Sequence, residues 1–201
     1  MKIALIGATG NVGQRIVKEA TDRGHQVTAI ARDPSKLSPQ TGVTLIQADM
    51  NDDAQLRSAI ADADVVVLSV RFQDLDYKKL FTALRAAPRV LVVGGAASLE
   101  VAPGEALIDT PGFPDFIKVE AEPARQALNW LKAEHELNWT FLSPSVFFGP
   151  GERTGKFRLG LENLLTADDG KSHISYEDYA IALLDEIETP RQIRERFTVG
   201  Y

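Results

Sequence analysis

The sequence predicts an α/β protein with one mostly parallel sheet and helices on both of its faces. Three observations predict it. Short, continuously apolar runs alternate with stretches of helical periodicity from the first residue to about residue 145. The runs are apolar throughout rather than on every second residue, as expected of strands covered on both sides. The first run stops at a glycine-spaced turn that opens directly into a helical pattern.

Ile3-Ala4-Leu5-Ile6 reads as the first strand and ends at Gly7. Val12, Ile16, Val17 and Ala20 recur at helical spacing, and Gly24 is placed as the C-cap. Val27–Ala31 and Val43–Ile46 read as the second and third strands. Leu56, Ala59 and Ile60 mark a short helix before the fourth strand, Val65–Leu68. A helix over Tyr77–Ala86 leads to Val90–Val93, which stops at Gly94-Gly95. A long helix over Phe116–Glu134 precedes the sixth strand, Trp139–Leu142.

Two such halves in one sheet make a doubly wound Rossmann fold, and nothing between them reads as a linker. One domain over residues 1–201 is expected, with a small C-terminal extension. The irregular segment at about 144–175 is expected on the acceptor side, with short strands at Phe157-Arg158-Leu159 and His173-Ile174-Ser175. A helix begins near Ser175 with Glu177 and Asp178 in its first turn, where negative charge suits the dipole. Phe197-Thr198-Val199 is the closing strand.

Composition narrows the function classes. The 201 residues are 44% hydrophobic and 25% charged, the balance of an ordinary globular domain. The formal net charge of -6 argues against nucleic acid or an anionic membrane as partner. With no cysteine, disulfides, thiolate catalysis and cysteine metal sites are excluded. His25, His135 and His173 are scattered without metal-ligand spacing and read as surface or loop residues, so no metal is expected. The apolar runs are too short to span a bilayer, and the start of the chain lacks the h-region of a signal peptide. A cytoplasmic protein, monomer or homodimer, is expected.

The turn Gly7-Ala8-Thr9-Gly10-Asn11-Val12-Gly13 is the strongest functional signal. Between a strand and a helix, such glycines allow a sharp turn, a close approach of backbone to pyrophosphate and tight helix packing. The helix N-terminus then offers free N–H groups to the phosphates. Arg32 ends the second strand, with Lys36 close behind, where an arginine accommodates the 2′-phosphate of NADP. NADP(H) is therefore favoured over NAD(H). Asp33 is the competing reading, since it could reach the 2′-hydroxyl of NAD, and Arg32 could be an exposed loop residue. Ser69-Val70-Arg71 ends the fourth strand, on the cofactor side of a sheet wound this way.

The Gly-x-x-Gly-x-x-Gly spacing, with Ala8-Thr9 between the first two glycines, resembles the short-chain dehydrogenase/reductase superfamily, and its atypical members in particular. Val93–Gly104, Thr140–Pro144, Gly151-Glu152-Arg153-Thr154-Gly155 and Phe197–Tyr201 sharpen the match. Over essentially the whole chain it is similar to bacterial proteins named as NADH-flavin reductases, in the NAD(P)H-binding branch, and to mammalian biliverdin reductase B. The resemblance implies Asp49 and Met50 beside the adenine, Gly94 at the cofactor, and Ser143-Pro144-Ser145-Val146-Phe147 passing the nicotinamide. It places Ser98 where relatives keep a catalytic serine, as an acceptor contact. A loop serine capping a turn is the other reading. It gives no chemistry for residues 151–155, which could border the acceptor pocket or shape a hairpin.

Carbonyl reductases of that superfamily use a tyrosine four residues before a lysine to deliver a proton. Tyr77 is followed at that distance by Phe81, Tyr176 by Ala180 and Tyr179 by Leu183. In the segment Asp115–Glu120, Phe116 stands before Lys118 and there is no phenol. Sugar epimerisation and ketone reduction by that relay are therefore disfavoured. Hydride transfer to FMN or FAD as a substrate, or to a quinone-like acceptor, needs no such relay because these can be protonated from solvent. A non-catalytic NAD(P)-binding redox sensor of the NmrA-like type is the alternative.

Overall fold

Valine, leucine, isoleucine and alanine fill the central strands because both faces of the sheet are covered. The computed structural model describes residues 1–201. In chain order it comprises β1 (Lys2–Ile6), α1 (Asn11–Asp22), β2 (Gln26–Ala31), β3 (Val43–Gln47), α2 (Asp53–Ile60), β4 (Val65–Leu68) and α3 (Tyr77–Leu84). Then come β5 (Val90–Val93), β6 (Glu100–Ala102), β7 (Glu105–Ala106), α4 (Asp115–Lys132) and β8 (Trp139–Ser143). The chain ends with β9 (Phe147–Gly149), β10 (Arg158–Gly160), β11 (His173–Ser175), α5 (Tyr176–Glu188) and β12 (Glu195–Gly200).

The main sheet has eight strands in the order β10-β12-β8-β5-β4-β1-β2-β3. Every pair is parallel except β10 with β12, so this is the single-domain Rossmann-like α/β fold expected. Alternate residues of each strand enter opposite cores. Ile3, Leu5, Val65 and Val67 pack with α1 and α5 in a cluster of 23 buried residues. Ala4, Ile6, Val66 and Leu68 pack with α2, α3 and α4 in one of 22. The near-equal cores explain why the strands lack a polar face.

The C-terminal segment joins the sheet: β12 continues it in parallel beside β8, and β10 closes its edge. Within this segment β9 and β11 form a small sheet of their own. A hairpin of β6 and β7 lies between β5 and α4, where no strand was expected. Its strands are too short for period-2 alternation to register. His25, read as a surface or loop residue, lies in the loop before β2, its side chain 10% exposed and its Nε2 2.8 Å from Glu188 Oε1.

Residues 151–155 neither border the main cavity nor form a hairpin. The Thr154 and Gly155 N–H groups each donate to Asp178 Oδ1 at 2.8 Å, and Gly151 N–H donates to Glu177 at 2.9 Å. Arg153 grips buried Glu19 of α1 with two hydrogen bonds of 2.8 Å. The loop thus ties the N-terminus of α5 to α1.

The hydrogen bonds from Arg153 hold the Glu19 carboxyl below its usual range against burial, which alone would raise it, and Arg23 lowers it further. A depressed folded-state value stabilises the protein above the unfolded value and is lost as pH falls through the folded one. Arg153→Ala should lower the unfolding free energy at pH 7 by about 1 kcal/mol, a modest loss because solvent screens its half-exposed guanidinium. In denaturant titrations the gap to wild type should close as pH falls below about 4.3. A gap unchanged with pH would show that Arg153 acts through packing instead.

Candidate functional site

The strand order reverses at β1, which has β2 on one side and β4 on the other. Open α/β sheets hold ligands at the carboxyl ends of the strands at such a point. A cavity of about 620 Å³ lies there, walled by the segments after β1, β4, β5 and β8 and by α4.

The glycine turn is shaped by backbone contact. Gly7 has φ +86, and a Cβ there would lie 2.0 Å from Ser69 O. A Cβ on Gly13 would lie 2.3 Å from Gly7 O, so α1 can pack down on the turn only without one. Gly10 is different: it is exposed, and its nearest neighbour would be Gly7 O at 3.3 Å. It is the N-cap of α1 with no side-chain cap, and the first turn carries no acidic residue. Gln14 N–H is the first to bond back along the helix, to Gly10 O at 2.9 Å. The N–H groups ahead of it, at Asn11, Val12 and Gly13, are left without helical acceptors. An uncapped, acid-free N-terminus of a 12-residue helix facing a cavity fits an anionic ligand such as a pyrophosphate.

Of the residues expected from sequence, Thr9, Gly10, Asn11, Val12, Ser69, Val70, Arg71, Gly94, Ser98, Pro144, Ser145 and Val146 line the cavity. Gly7, Ala8, Gly13 and Ser143 form its supporting layer instead. Ser143 is fully buried, with its carbonyl accepting from Thr198 at 2.9 Å. Phe147 is 66% exposed and turned away, towards the β9–β11 side. Arg32 and Lys36, both exposed, and Asp49 and Met50 follow β2 and β3 beyond the cavity wall. Asp33 is committed locally, its Oδ1 accepting from Ser35 N at 3.2 Å and Ser35 Oγ at 2.5 Å. Asp49 likewise accepts from Asn51 N–H at 2.9 Å.

The sequence reading missed the opposite wall. Phe113, Ile117, Glu120, Ala121 and Ala124 line it from α4 and the turn before it. The spacing of Ile117, Ala121 and Ala124 was a legible stripe, but it reads equally as core. Phe116, in place of the relay phenol, is 80% exposed and faces away. Glu120 accepts the Phe72 N–H at 3.0 Å and so holds the loop after β4 against α4. Phe148 and Tyr176 pack edge to face at 4.7 Å at the remaining rim. Tyr176 is the one phenol of the lining, and the group over its ring is the Arg15 guanidinium, 5.7 Å from the centroid, rather than a lysine. Tyr179 is fully buried; burial pushes its phenol well up, and it donates to Leu142 O at 2.7 Å as a structural group.

A family model described as NAD(P)H-binding matches residues 7–190. The chain belongs to this NAD(P)H-binding family. The match covers the glycine turn and every wall of the cavity. The YwnB protein of Bacillus subtilis is 41% identical over 209 aligned residues, covering 99% of this chain and 98% of that protein. A solved structure from Burkholderia pseudomallei, named as an exported protein, is 45% identical with TM-score 0.89 and full coverage of both chains. A candidate NADH-flavin reductase of Streptococcus pneumoniae is 35% identical with TM-score 0.89, covering 100% of this chain and 99% of that one. No helix of this family member is long and apolar enough to cross a membrane.

Gly13→Ala should unfold at distinctly lower denaturant, by about 2 kcal/mol or more, since backbone must move to relieve the clash. Gly10→Ala should unfold close to wild type. Equal midpoints for the two variants would contradict the packing described.

Proposed function

We propose that this protein is an NADPH-dependent reductase of free flavin or a quinone-like acceptor. The observation that carries the reading is the cavity wall opposite the glycine turn. Phe113, Ile117, Ala121 and Ala124 make it largely apolar around Glu120, and α4 turns Phe116 outward where a relay phenol would stand. Such a wall suits a flat, conjugated acceptor and offers no tyrosine–lysine pair to a simple ketone.

In this reading the free N–H groups at the start of α1 take the pyrophosphate. Arg32 and Lys36 take a 2′-phosphate, supported by the engagement of Asp33 with Ser35, which removes its competition for the ribose. Asp49 and Met50 border the adenine, and Ser69–Arg71, Gly94 and the chain from Pro144 to Val146 border the nicotinamide half. The bound nicotinamide supplies a hydride. Ser98 Oγ, on the wall, donates a hydrogen bond to the acceptor, and Val70, Phe113 and Phe148 hold its ring and exclude water. Water supplies the proton that completes the reduction.

Purified protein with NADPH and FMN should consume reduced nicotinamide, read by its absorbance, well above the protein-free rate. No consumption with any flavin or quinone would overturn the reading. It would favour the redox-sensor alternative, which one surface supports: Phe116, at 80%, and Val119, at 55% exposed, lie together on α4 beside the cavity. Arg32→Ala should raise KM for NADPH about tenfold, the scale of one charge-assisted phosphate contact, and leave NADH unchanged. An equal loss for both nucleotides would remove the NADP assignment. Gly10→Ala, whose methyl group stands in the phosphate space, should weaken NADPH binding in calorimetry while keeping the wild-type Tm.

A further inference from the structure

Ser98 has a buried charge behind it. Arg196 reaches Ser98 from β12, two strands from β5 in the sheet, with its side chain 2% exposed. Its Nη1 donates to both the carbonyl oxygen and the hydroxyl oxygen of Ser98, each at 3.0 Å. Its Nη2 pairs with Glu162, which Lys132 also holds at 3.1 Å. The Nε of Arg196 is buried without a partner.

Two arguments connect this guanidinium to the cavity. The first is energetic. Removing an arginine from water is costly, and pairing with Glu162, which is 40% exposed, repays that cost only in part because solvent screens the pair. Here one donor is left unpaired as well, so the pair is a poor device for stability alone. Its neighbours on β12, Phe197 and Val199, are ordinary core residues.

The second argument is donor and acceptor arithmetic. A serine hydroxyl has one hydrogen and two lone pairs. An arginine has no lone pair to offer, so Ser98 can only accept from it. Nothing in the protein accepts the hydrogen of Ser98 Oγ, whose bond to Arg196 is its one side-chain contact. The open side of Ser98 is the cavity. Arg196 therefore fixes which way the hydroxyl faces.

We infer that Arg196 is a positioning residue: it holds Ser98 Oγ from behind so that the O–H points at the bound acceptor. Its charge then lies one hydrogen bond behind the acceptor atom that becomes negative as the hydride arrives. The acceptor gains a hydride and one proton from water, while Ser98 and Arg196 keep theirs. This inference rests on the reductase reading above.

The test compares Ser98→Ala, Arg196→Gln, Arg196→Lys and the Ser98→Ala/Arg196→Gln double variant. Each is measured for NADPH-dependent FMN reduction and for the visible absorption shift of FMN on binding in the presence of NADP. Ser98→Ala should lower kcat about 100-fold with little change in KM, the scale for losing one donor at a developing oxyanion. Arg196→Gln should come close to that loss, and the double variant should be no slower than Ser98→Ala, because the two residues act as one unit. Both single variants should lose the same part of the FMN band shift. Arg196→Lys keeps the charge without the two-nitrogen fork, so an intermediate loss of about tenfold is expected. It also serves if the glutamine variant fails to fold. Losses that multiply in the double variant would overturn the inference. So would a lowered Tm with kcat and band shift at wild-type values. If wild-type protein binds FMN but turns over no acceptor, the reductase reading fails, and the band shift still decides whether Arg196 acts through Ser98. If FMN does not bind, this inference fails, and the reductase reading is decided by the other flavins and the quinones.

Discussion

Three stretches of backbone meet with no Cβ between them, and the placement of the site depends on that meeting. Gly7 turns β1 away under the carbonyl of Ser69 at the end of β4, and Gly13 lets α1 settle on the carbonyl of Gly7. This contact brings the N-terminus of α1 to the carboxyl edge of the sheet. The two tight glycines are fixed by packing, whereas Gly10 leaves the helix end open to a ligand. One motif therefore meets two demands, and they fall on different residues within it.

The helix so placed must also be kept from sliding over the sheet. Its outer side carries Glu19, which is buried among Arg23, Arg153 and the residues that follow β9. Asp178 draws the backbone of Thr154 and Gly155 onto the start of α5. The result links α1, α5 and the loop 151–155 into one polar seam at the edge of a large apolar core. A seam of this kind contributes little net free energy but fixes register, because each carboxylate accepts bonds from several donors in fixed directions.

On the far side of the cavity α4 decides what chemistry is available. Its first turns present Ile117, Glu120 and Ala121 inward and Phe116 outward. The cavity has hydrogen-bonding groups at its floor and an apolar wall, a shape that favours binding and orientation over proton transfer. Membership of the NAD(P)H-binding family agrees with the floor, and the wall is where members of one fold diverge.

The sequence alone determined the parallel sheet, since strands buried on both faces must be largely apolar: β4 and β5 are so at every position, and β1, β2 and β8 over most of theirs. It determined the glycine turn as well, because strand, turn and helix lie within a few residues and the backbone constraint is local. Ser98, which lines the cavity, was legible only through the family resemblance. Only the tertiary structure decided which of the residues near those ends face the cavity, which separates Gly10 from Gly13 and Ser145 from Ser143. It alone brought Tyr176 to Phe148, Arg153 to Glu19 and Arg196 to Ser98. Those pairs lie between 28 and 134 residues apart. Their partners are chosen by the packing of whole elements, which no local periodicity records.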